Sequence, residues 1–194
     1  MSDYFYLPQH LKQSAKVMVF VDGENLAIRY ANMIKDKAPE DHVVFEPNVF
    51  VWTPFANVQH HVNCEIVRRY YYTSVQGDDT KQVEIEERLK ALGIEAPCVF
   101  KKPKGKRSKR VDISLATEML THAHRKNYDL AVLVAGDEDY MPLVEAVMAE
   151  GRRVVLWFLE EGLSPVLRRK VDHYFNIGTF LFKSERLLER RYSR

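Results

Sequence analysis

The chain has 194 residues, of which 46% are hydrophobic, 29% charged and 11% aromatic. This composition excludes a wholly disordered chain and is enough for one domain with a sizeable core. No apolar run reaches the roughly 20 residues that a membrane helix needs, so no membrane association is expected. The N-terminus lacks the basic start and apolar region of a secretory signal, which favours a cytoplasmic protein.

The cysteines and histidines do not suggest a zinc site. Cys64 and Cys98 are the only cysteines, and they form no CxxC pair. His122 and His124 are two residues apart on a predicted helix, so their side chains diverge by about 200° around its axis. Both cysteines are expected to be reduced thiols in the core.

The net charge of +2 conceals a basic segment, defined as residues 101–110. This segment holds seven of the 29 Lys and Arg residues and no acidic residue, so the rest of the chain has 22 basic against 27 acidic residues. Clustered Lys and Arg suit a polyanion, because they neutralise phosphates and release counterions. A solvated loop is the alternative interpretation.

Short β-branched or aromatic runs alternate with segments of helical periodicity. Strands are predicted at 16–21, 65–72, 94–100, 130–134, 153–158 and, last and short, 174–177. Helices are predicted at 26–34, near 48–60, and at 78–92, 112–124, 140–150 and 164–170. A loop is predicted at 35–47.

This alternation predicts an α/β fold with a mostly parallel sheet of five to six strands and helices on both faces. One domain is expected over residues 16–178. Residues 1–15 are predicted to be an N-terminal arm, and 179–194 a basic C-terminal helix or tail.

Four aspartates are predicted to meet at one edge of this sheet. Asp22 follows the first strand, and Asp137 and Asp139 follow the fourth. If the strand order is 3-2-1-4-5, the first and fourth strands are neighbours at the point where the order reverses, and ligands bind beyond their carboxyl ends. Asp112 begins the helix that leads to the fourth strand and should face the same edge.

Carboxylates packed this closely repel one another unless a cation lies between them. Oxygen ligands without thiolate or imidazole suit Mg²⁺ or Mn²⁺, which can activate water and neutralise a phosphodiester. Each residue also has a structural alternative: Asp22 and Asp137 as turn residues, and Asp112 and Asp139 as helix caps.

Three motifs in this order resemble the signatures of the NYN domain family, which comprises PIN-like and LabA-like metal-dependent ribonucleases. They are Phe20-Val21-Asp22-Gly23-Glu24-Asn25, Lys109-Arg110-Val111-Asp112-Ile113, and Leu133-Val134-Ala135-Gly136-Asp137-Glu138-Asp139-Tyr140. The resemblance implies a Rossmann-like PIN/NYN domain and metal-dependent cleavage of RNA. It places Asp22, Asp112, Asp137 and Asp139 in the acidic positions of the family.

The resemblance also bears on two further residues. Asn25 matches a family asparagine, and its amide could orient Asp22 or a metal-bound water, or simply cap the helix. Glu118 stands where relatives often have a further aspartate. However, six residues of helix rotate it by about 240° from Asp112, which favours a surface role.

Two other features could contact nucleic acid. The basic segment leads directly to Asp112, and its candidate RNA-binding residues are Lys102, Lys104, Lys106, Arg107, Lys109 and Arg110. Tyr70, Tyr71, Tyr72 and Tyr140 could stack on unpaired bases, although the core is the more common place for most of them.

The leading hypothesis is therefore a Mg²⁺- or Mn²⁺-dependent endoribonuclease with RNA, single-stranded or structured, as its partner. The alternatives are a catalytically silent NYN module that binds RNA in a regulatory role, and a phosphohydrolase of the haloacid-dehalogenase type built on Asp22 and Glu24. A homodimer is left open, since the sequence gives no strong evidence on oligomeric state.

Overall fold

A six-stranded parallel sheet is the centre of the computed structural model, which describes residues 15–56, 64–103 and 109–184. The sheet strands are β1 (Ala15–Asp22), β4 (Cys64–Val75), β5 (Ala96–Lys101), β6 (Leu130–Val134), β7 (Arg153–Phe158) and β8 (His173–Asn176). A separate hairpin contains β2 (Val44–Glu46) and β3 (Phe50–Trp52). The helices are α1 (Gly23–Met33), α2 (Asp79–Ala91), α3 (Lys109–His124), α4 (Met141–Ala149), α5 (Pro165–Lys170) and α6 (Gly178–Leu181), and a 3₁₀ turn spans Glu138–Tyr140.

The sheet order is β5-β4-β1-β6-β7-β8, with every neighbouring pair parallel. This confirms the predicted fold class and the predicted order 3-2-1-4-5, with the short last strand added at the edge. Since β1 lies between β4 and β6, the order reverses at β1. The carboxyl ends of β1 and β6 are therefore neighbours at the switch point.

Residues of β1 alternate between two hydrophobic cores, one on each face of the sheet. Val17, Val19 and Val21 join a core with α1 and α2, whereas Met18 and Phe20 join a core with α3, α4 and α5. A strand buried on both faces is apolar along its whole length, as expected for a central parallel strand. This two-sided burial fixes β1 and hence the position of Asp22 at its end.

The helix predicted near 48–60 is wrong for the residues that the structure describes, because Phe50–Trp52 form a strand of the β2–β3 hairpin. Pro47 and Asn48 lie in the connecting turn, and Asn48 has a positive φ of 58°. Phe50, Val51 and Trp52 are β-branched or aromatic and fully buried, which suits a strand as well as a helix over so short a run. The predicted loop at 35–47 likewise contains β2. Residues 57–60 lie outside the described ranges.

Some boundaries differ from the predictions. β4 continues three residues beyond the predicted end at 72, and α3 begins at Lys109, three residues before Asp112. Leu181 and Phe182 are buried in the first core, so the packed body continues beyond the predicted boundary at 178. Residues 1–14 of the predicted arm and 185–194 of the predicted tail lie outside the described residues.

Both cysteines are free and half-buried. Burial raises the pKa of Cys64, and it raises the pKa of Cys98 to about 12, so neither thiol has the character of a reactive thiolate. None of the helices in the described ranges has the length and apolar character required to span a bilayer.

Tyr71 of β4 fastens the hairpin to the sheet. Its hydroxyl donates to the carbonyl oxygen of Val51 at 3.0 Å and accepts from the amide of Val51 at 3.1 Å, and its ring packs edge-on against Trp52. The side chain is fully buried, so neither backbone group of Val51 would regain a water partner if this hydroxyl were lost.

Tyr71→Phe should therefore lower the free energy of unfolding by about 1–3 kcal/mol, because two buried backbone groups lose their partner. Urea unfolding of the variant and the wild type measures this difference. Tyr174→Phe is the control, since its hydroxyl donates to Phe158 from a half-buried position, and it should cost less. Equal losses would contradict a special role for Tyr71.

Candidate active site

Asp22 is the most deeply buried carboxylate at the switch point, with 4% of its surface exposed. It ends β1 and caps the N-terminus of α1: its Oδ1 accepts the amide hydrogen of Asn25 at 3.0 Å. Its Oδ2 accepts the hydroxyl hydrogen of Tyr140 at 2.9 Å. These two bonds fix the carboxylate plane, so Asp22 is oriented before any ligand arrives.

Asn25 ties the turn after β1 to the turn after β6. Its Oδ1 accepts the amide hydrogen of Gly136 at 3.3 Å across the switch point. The prediction that Asn25 caps α1 is wrong, because Asp22 has that position. The amide side chain therefore holds together the two turns that carry Asp22 and Asp137.

Both turns need glycine because aromatic rings lie directly against them. A Cβ at Gly23 would lie 1.9 Å from the ring of Tyr71, and one at Gly136 would lie 2.1 Å from the ring of Phe158. Real Cβ atoms do not approach other atoms this closely. The glycines therefore allow the two turns to sit low on the sheet, close to each other.

Asp137 and Asp139 occupy the turn after β6 in different ways. Asp137 is half-buried and caps the 3₁₀ turn, since its Oδ1 accepts the amide hydrogen of Asp139 at 3.3 Å. Asp139 is exposed. The cap that was an alternative role for Asp139 thus belongs to Asp137.

Asp112 lies in the first turn of α3 and faces the same site from the opposite core. Its Oδ1 is 3.3 Å from the hydroxyl of Tyr140, the same hydroxyl that donates to Asp22. Because α3 begins three residues earlier, Asp112 is not its cap. Tyr140 thus links two carboxylates from elements that are 90 residues apart in the chain.

The electrostatics show that these carboxylates share one environment. Burial raises the pKa of Asp22 to about 7, and the charges of Asp112 and Glu24 add to the rise, while its two hydrogen bonds oppose it. Burial also raises the pKa of Asp112, with further contributions from Asp137, Glu24 and Asp139. The structure therefore brings Asp22, Asp112 and Asp137 to one cleft, and Asp139 is near enough to Asp112 to raise its pKa.

Glu24 is a further acidic residue of the cleft, which the sequence analysis named only in the phosphohydrolase alternative. Its Oε2 accepts the hydroxyl hydrogen of Ser74 at 2.6 Å, and its Oε1 pairs with the ammonium of Lys102 at 2.6 Å. Ser74 lies in the part of β4 beyond the predicted strand end. The available signal was the position of Glu24, directly after a buried strand and between Asp22 and Asn25.

Lys102 differs from a lysine whose ammonium group is free to bind phosphate. Its side chain is only 8% exposed and is paired with Glu24. Lys109 and Arg110 are exposed at the start of α3, and Arg110 lies over the ring of Phe100 at 5.0 Å. The other predicted members of the basic segment, Lys104, Lys106 and Arg107, lie outside the described residues.

A cleft of about 160 Å³ opens over the acidic residues, and Arg29 lines its wall. Arg29 was not predicted, although it is one helical turn after Asn25 and therefore on the same face of α1. It is exposed, and within the described part of the chain it forms no ion pair. Its guanidinium packs beside Gly162, where a Cβ would come within 2.8 Å of it.

Glu118 lies apart from the cleft residues on the face of α3 that packs on the sheet. It accepts the hydroxyl hydrogen of Tyr72 at 2.5 Å. Burial raises the pKa of that tyrosine and of Cys98, and the charge of Glu118 adds to both rises. Glu118 is half-buried, so it lies at the surface with one side in contact with the sheet.

The tyrosines are core residues. Tyr70, Tyr71, Tyr72 and Tyr140 are each at most 7% exposed. Their rings pack within the two cores, and Tyr70 stacks between Phe20 and Tyr72. Stacking on bases would need open ring faces.

Residues 16–178 match the family model of the NYN domain. The chain belongs to the NYN family. Its sheet order is thus that of a PIN-like nuclease fold. No curated protein matches the chain.

The NYN domain also resembles a solved structure. The crystal structure of VPA0982, a protein of unknown function from Vibrio parahaemolyticus RIMD 2210633, is 20% identical and superposes with a TM-score of 0.61. The match covers 94% of this chain and 99% of that one. At this identity the similarity shows the fold alone.

The chemistry of these NYN residues fits a hard divalent cation. The donors are carboxylate oxygens, and the positive groups near them are Lys102, already paired with Glu24, and Arg29. As the side chains stand, no three acidic, histidine or cysteine residues of the described ranges converge closely enough to hold an ion. The space between Asp22 and Asp112 is bridged by the hydroxyl of Tyr140.

Without metal, the stability of the protein should fall as pH rises from 5 to 8. The pKa of Asp22 is about 7 in the folded protein against an ordinary 3.8, so between these values the folded state keeps a proton that the unfolded state releases. This contribution is complete below pH 3.8 and is lost as pH rises through 7. Urea unfolding in EDTA should show the wild type losing roughly 2–3 kcal/mol relative to Asp22→Asn over this range. A difference that does not change with pH would contradict the raised pKa.

Proposed function

We propose that the protein is a metal-dependent endoribonuclease that hydrolyses RNA phosphodiester bonds with Mg²⁺ or Mn²⁺ held by Asp22, Asp112, Asp137 and Asp139. The observation that carries this proposal is the placement of Asp22, Asp112 and Asp137 around one cleft at the switch point, in a chain of the NYN family. A bound divalent ion would make a water more acidic and neutralise the phosphodiester. The protein side chains would position the ion and bind the phosphate backbone.

The acidic residues have unequal tasks in this proposal. Asp22 and Asp137 are each fixed by a hydrogen bond from a backbone amide, so they are the preorganised ligands. Asn25 acts through them, because it holds their two turns at a constant separation. Asp112 and Asp139 are exposed, so they are the two acids that substrate and water would reach from outside.

The phosphate backbone would be held by cations around the cleft. Arg29 lines the wall and is not engaged by a carboxylate within the described residues, so it suits a phosphate oxygen near the acids. Lys109 and Arg110 are exposed within the same helix turn that carries Asp112. The open side at Asp112 and Asp139 would let an internal stretch of RNA lie across the site, which favours internal cleavage.

One observation favours the second candidate, a silent NYN module that binds RNA in a regulatory role. No three carboxylates of the described residues converge on one point as they stand. Experiments on variants can distinguish the two functions, because only a nuclease has a metal-dependent cleavage activity that a substitution can abolish. The dehalogenase-type phosphatase is not proposed, since Glu24 is engaged by Lys102 and Ser74 and the chain belongs to the NYN family.

Asp22→Asn and Asp137→Asn should each abolish cleavage of a circular RNA in Mn²⁺. Replacing a residue that only supports a metal ligand costs roughly 10–100-fold, so loss of a ligand should cost at least about 100-fold. Gel analysis of a circular RNA measures the rate, and opening of the circle requires an internal cut. Asp36→Asn, an exposed aspartate outside the cleft, is the charge-matched control and should keep full activity.

Two results would decide against the nuclease. A folded wild-type protein that neither cuts RNA nor binds Mn²⁺ would overturn it. Equal RNA affinity of the wild type and both variants, without metal-dependent cleavage in any of them, would support the silent module instead.

Serine at Lys104, Lys106, Arg107 and Lys109 should weaken RNA binding and flatten its salt dependence. Each phosphate contact with single-stranded RNA contributes about 0.7 to the slope of log K against log salt concentration. Fluorescence anisotropy without divalent metal, over a series of salt concentrations, measures this slope.

Arg29→Ser should lower the slope by the amount expected for about one phosphate contact. Lys90→Ser, on the exposed face of α2, is the control and should leave the salt-dependence slope unchanged. If the four-serine variant also keeps the wild-type slope, the basic segment is a solvated loop.

A further inference from the structure

Tyr140 occupies an unusual position between two carboxylates. Its ring is 4% exposed and packs in the core formed with α3 and α4. Its hydroxyl oxygen lies 2.9 Å from Oδ2 of Asp22 and 3.3 Å from Oδ1 of Asp112. It is thus at hydrogen-bond distance from two of the acids proposed to hold the metal.

The hydroxyl of Tyr140 can donate a hydrogen bond to only one of the two carboxylates. A phenol carries one hydrogen, so it can donate to one carboxylate at a time. The shorter distance assigns that hydrogen to Asp22, which leaves the oxygen of Tyr140 facing an oxygen of Asp112. A divalent cation held at this site would instead attract every carboxylate near it at once.

We propose that Tyr140 is a placeholder for the metal: its hydroxyl bridges Asp22 and Asp112 in the metal-free protein and gives up this position when a divalent cation binds. The inference rests on the proposed function, since it concerns the same site. It explains how Asp22 and Asp112 can lie close together without a cation between them.

A placeholder and a positioning residue predict opposite effects of removing the hydroxyl. If Tyr140 stabilises the metal-free carboxylates only, its loss destabilises the metal-free state and makes cation binding more favourable. If it orients Asp22 and Asp112 in the loaded site, its loss makes binding weaker. The sign of the change in Mn²⁺ affinity therefore decides between the two roles.

The chain offers a matched control in Tyr128. It is fully buried in the same core, and its hydroxyl donates to the carbonyl oxygen of Met119 at 2.9 Å. Tyr128→Phe thus removes one buried hydroxyl that is bonded to the backbone rather than to the acids. It should lower stability by the same amount with and without metal.

Isothermal titration with Mn²⁺ and thermal unfolding, each on the wild type, Tyr140→Phe and Tyr128→Phe, test the proposal. Tyr140→Phe should bind Mn²⁺ about 10-fold more tightly, as expected for the loss of one competing hydrogen bond to a charged group. Its unfolding temperature should be lower than that of the wild type without metal, and the gap should narrow in saturating Mn²⁺. Tyr128→Phe should keep the wild-type affinity.

Weaker or unchanged Mn²⁺ binding by Tyr140→Phe would overturn the placeholder while leaving the proposed function in place. Absence of Mn²⁺ binding by the wild type would overturn both. If Tyr140→Phe does not fold, the tyrosine ultraviolet difference spectrum of the wild type supplies the test. A spectrum that does not change as Mn²⁺ binds would contradict displacement of the hydroxyl.

Discussion

The site depends on the burial of one carboxylate, that of Asp22, at the end of the central strand. An ionised carboxylate in such a position loses most of its hydration, and neighbouring acids add repulsion. The surrounding structure offsets this cost with an amide hydrogen from Asn25 and a hydroxyl hydrogen from Tyr140. The offset is partial, because the pKa of Asp22 still rises to about 7. A cation would offset the remaining repulsion, which is what the proposed function requires of this site.

The sheet order and the two aspartates at its reversal could be predicted because they depend on the backbone alone. Apolar strands such as 16–21 and 130–134 must be central, and residues that follow them emerge at the same edge. The hairpin at Val44–Trp52 could not be predicted in this way, since a run of three apolar residues has no distinct period. Its place is set by a tertiary contact, the hydroxyl of Tyr71 on Val51.

Three residues of the site could not be assigned to it from the sequence, for a different reason. They are Glu24, Arg29 and Tyr140, whose side-chain directions depend on packing against neighbours that are distant in sequence. Tyr140 is buried in the core, as expected for an aromatic residue, but the hydroxyl at the end of its ring reaches the acids. A sequence pattern identifies the ring as buried and does not show where the hydroxyl points.

The pairing of Glu24 with Lys102 connects the acidic cleft to the basic segment. Lys102 is fixed beside the cleft by this ion pair, and the chain returns at Lys109 in the first turn of α3, three residues before Asp112. Both ends of the basic segment are therefore held at the site, whatever path the residues between them take. A partly buried ion pair is weak as a source of stability, because desolvation offsets its attraction. Its effect is one of placement: in the proposed nuclease it would hold the start of the basic segment close to carboxylates that by themselves repel RNA.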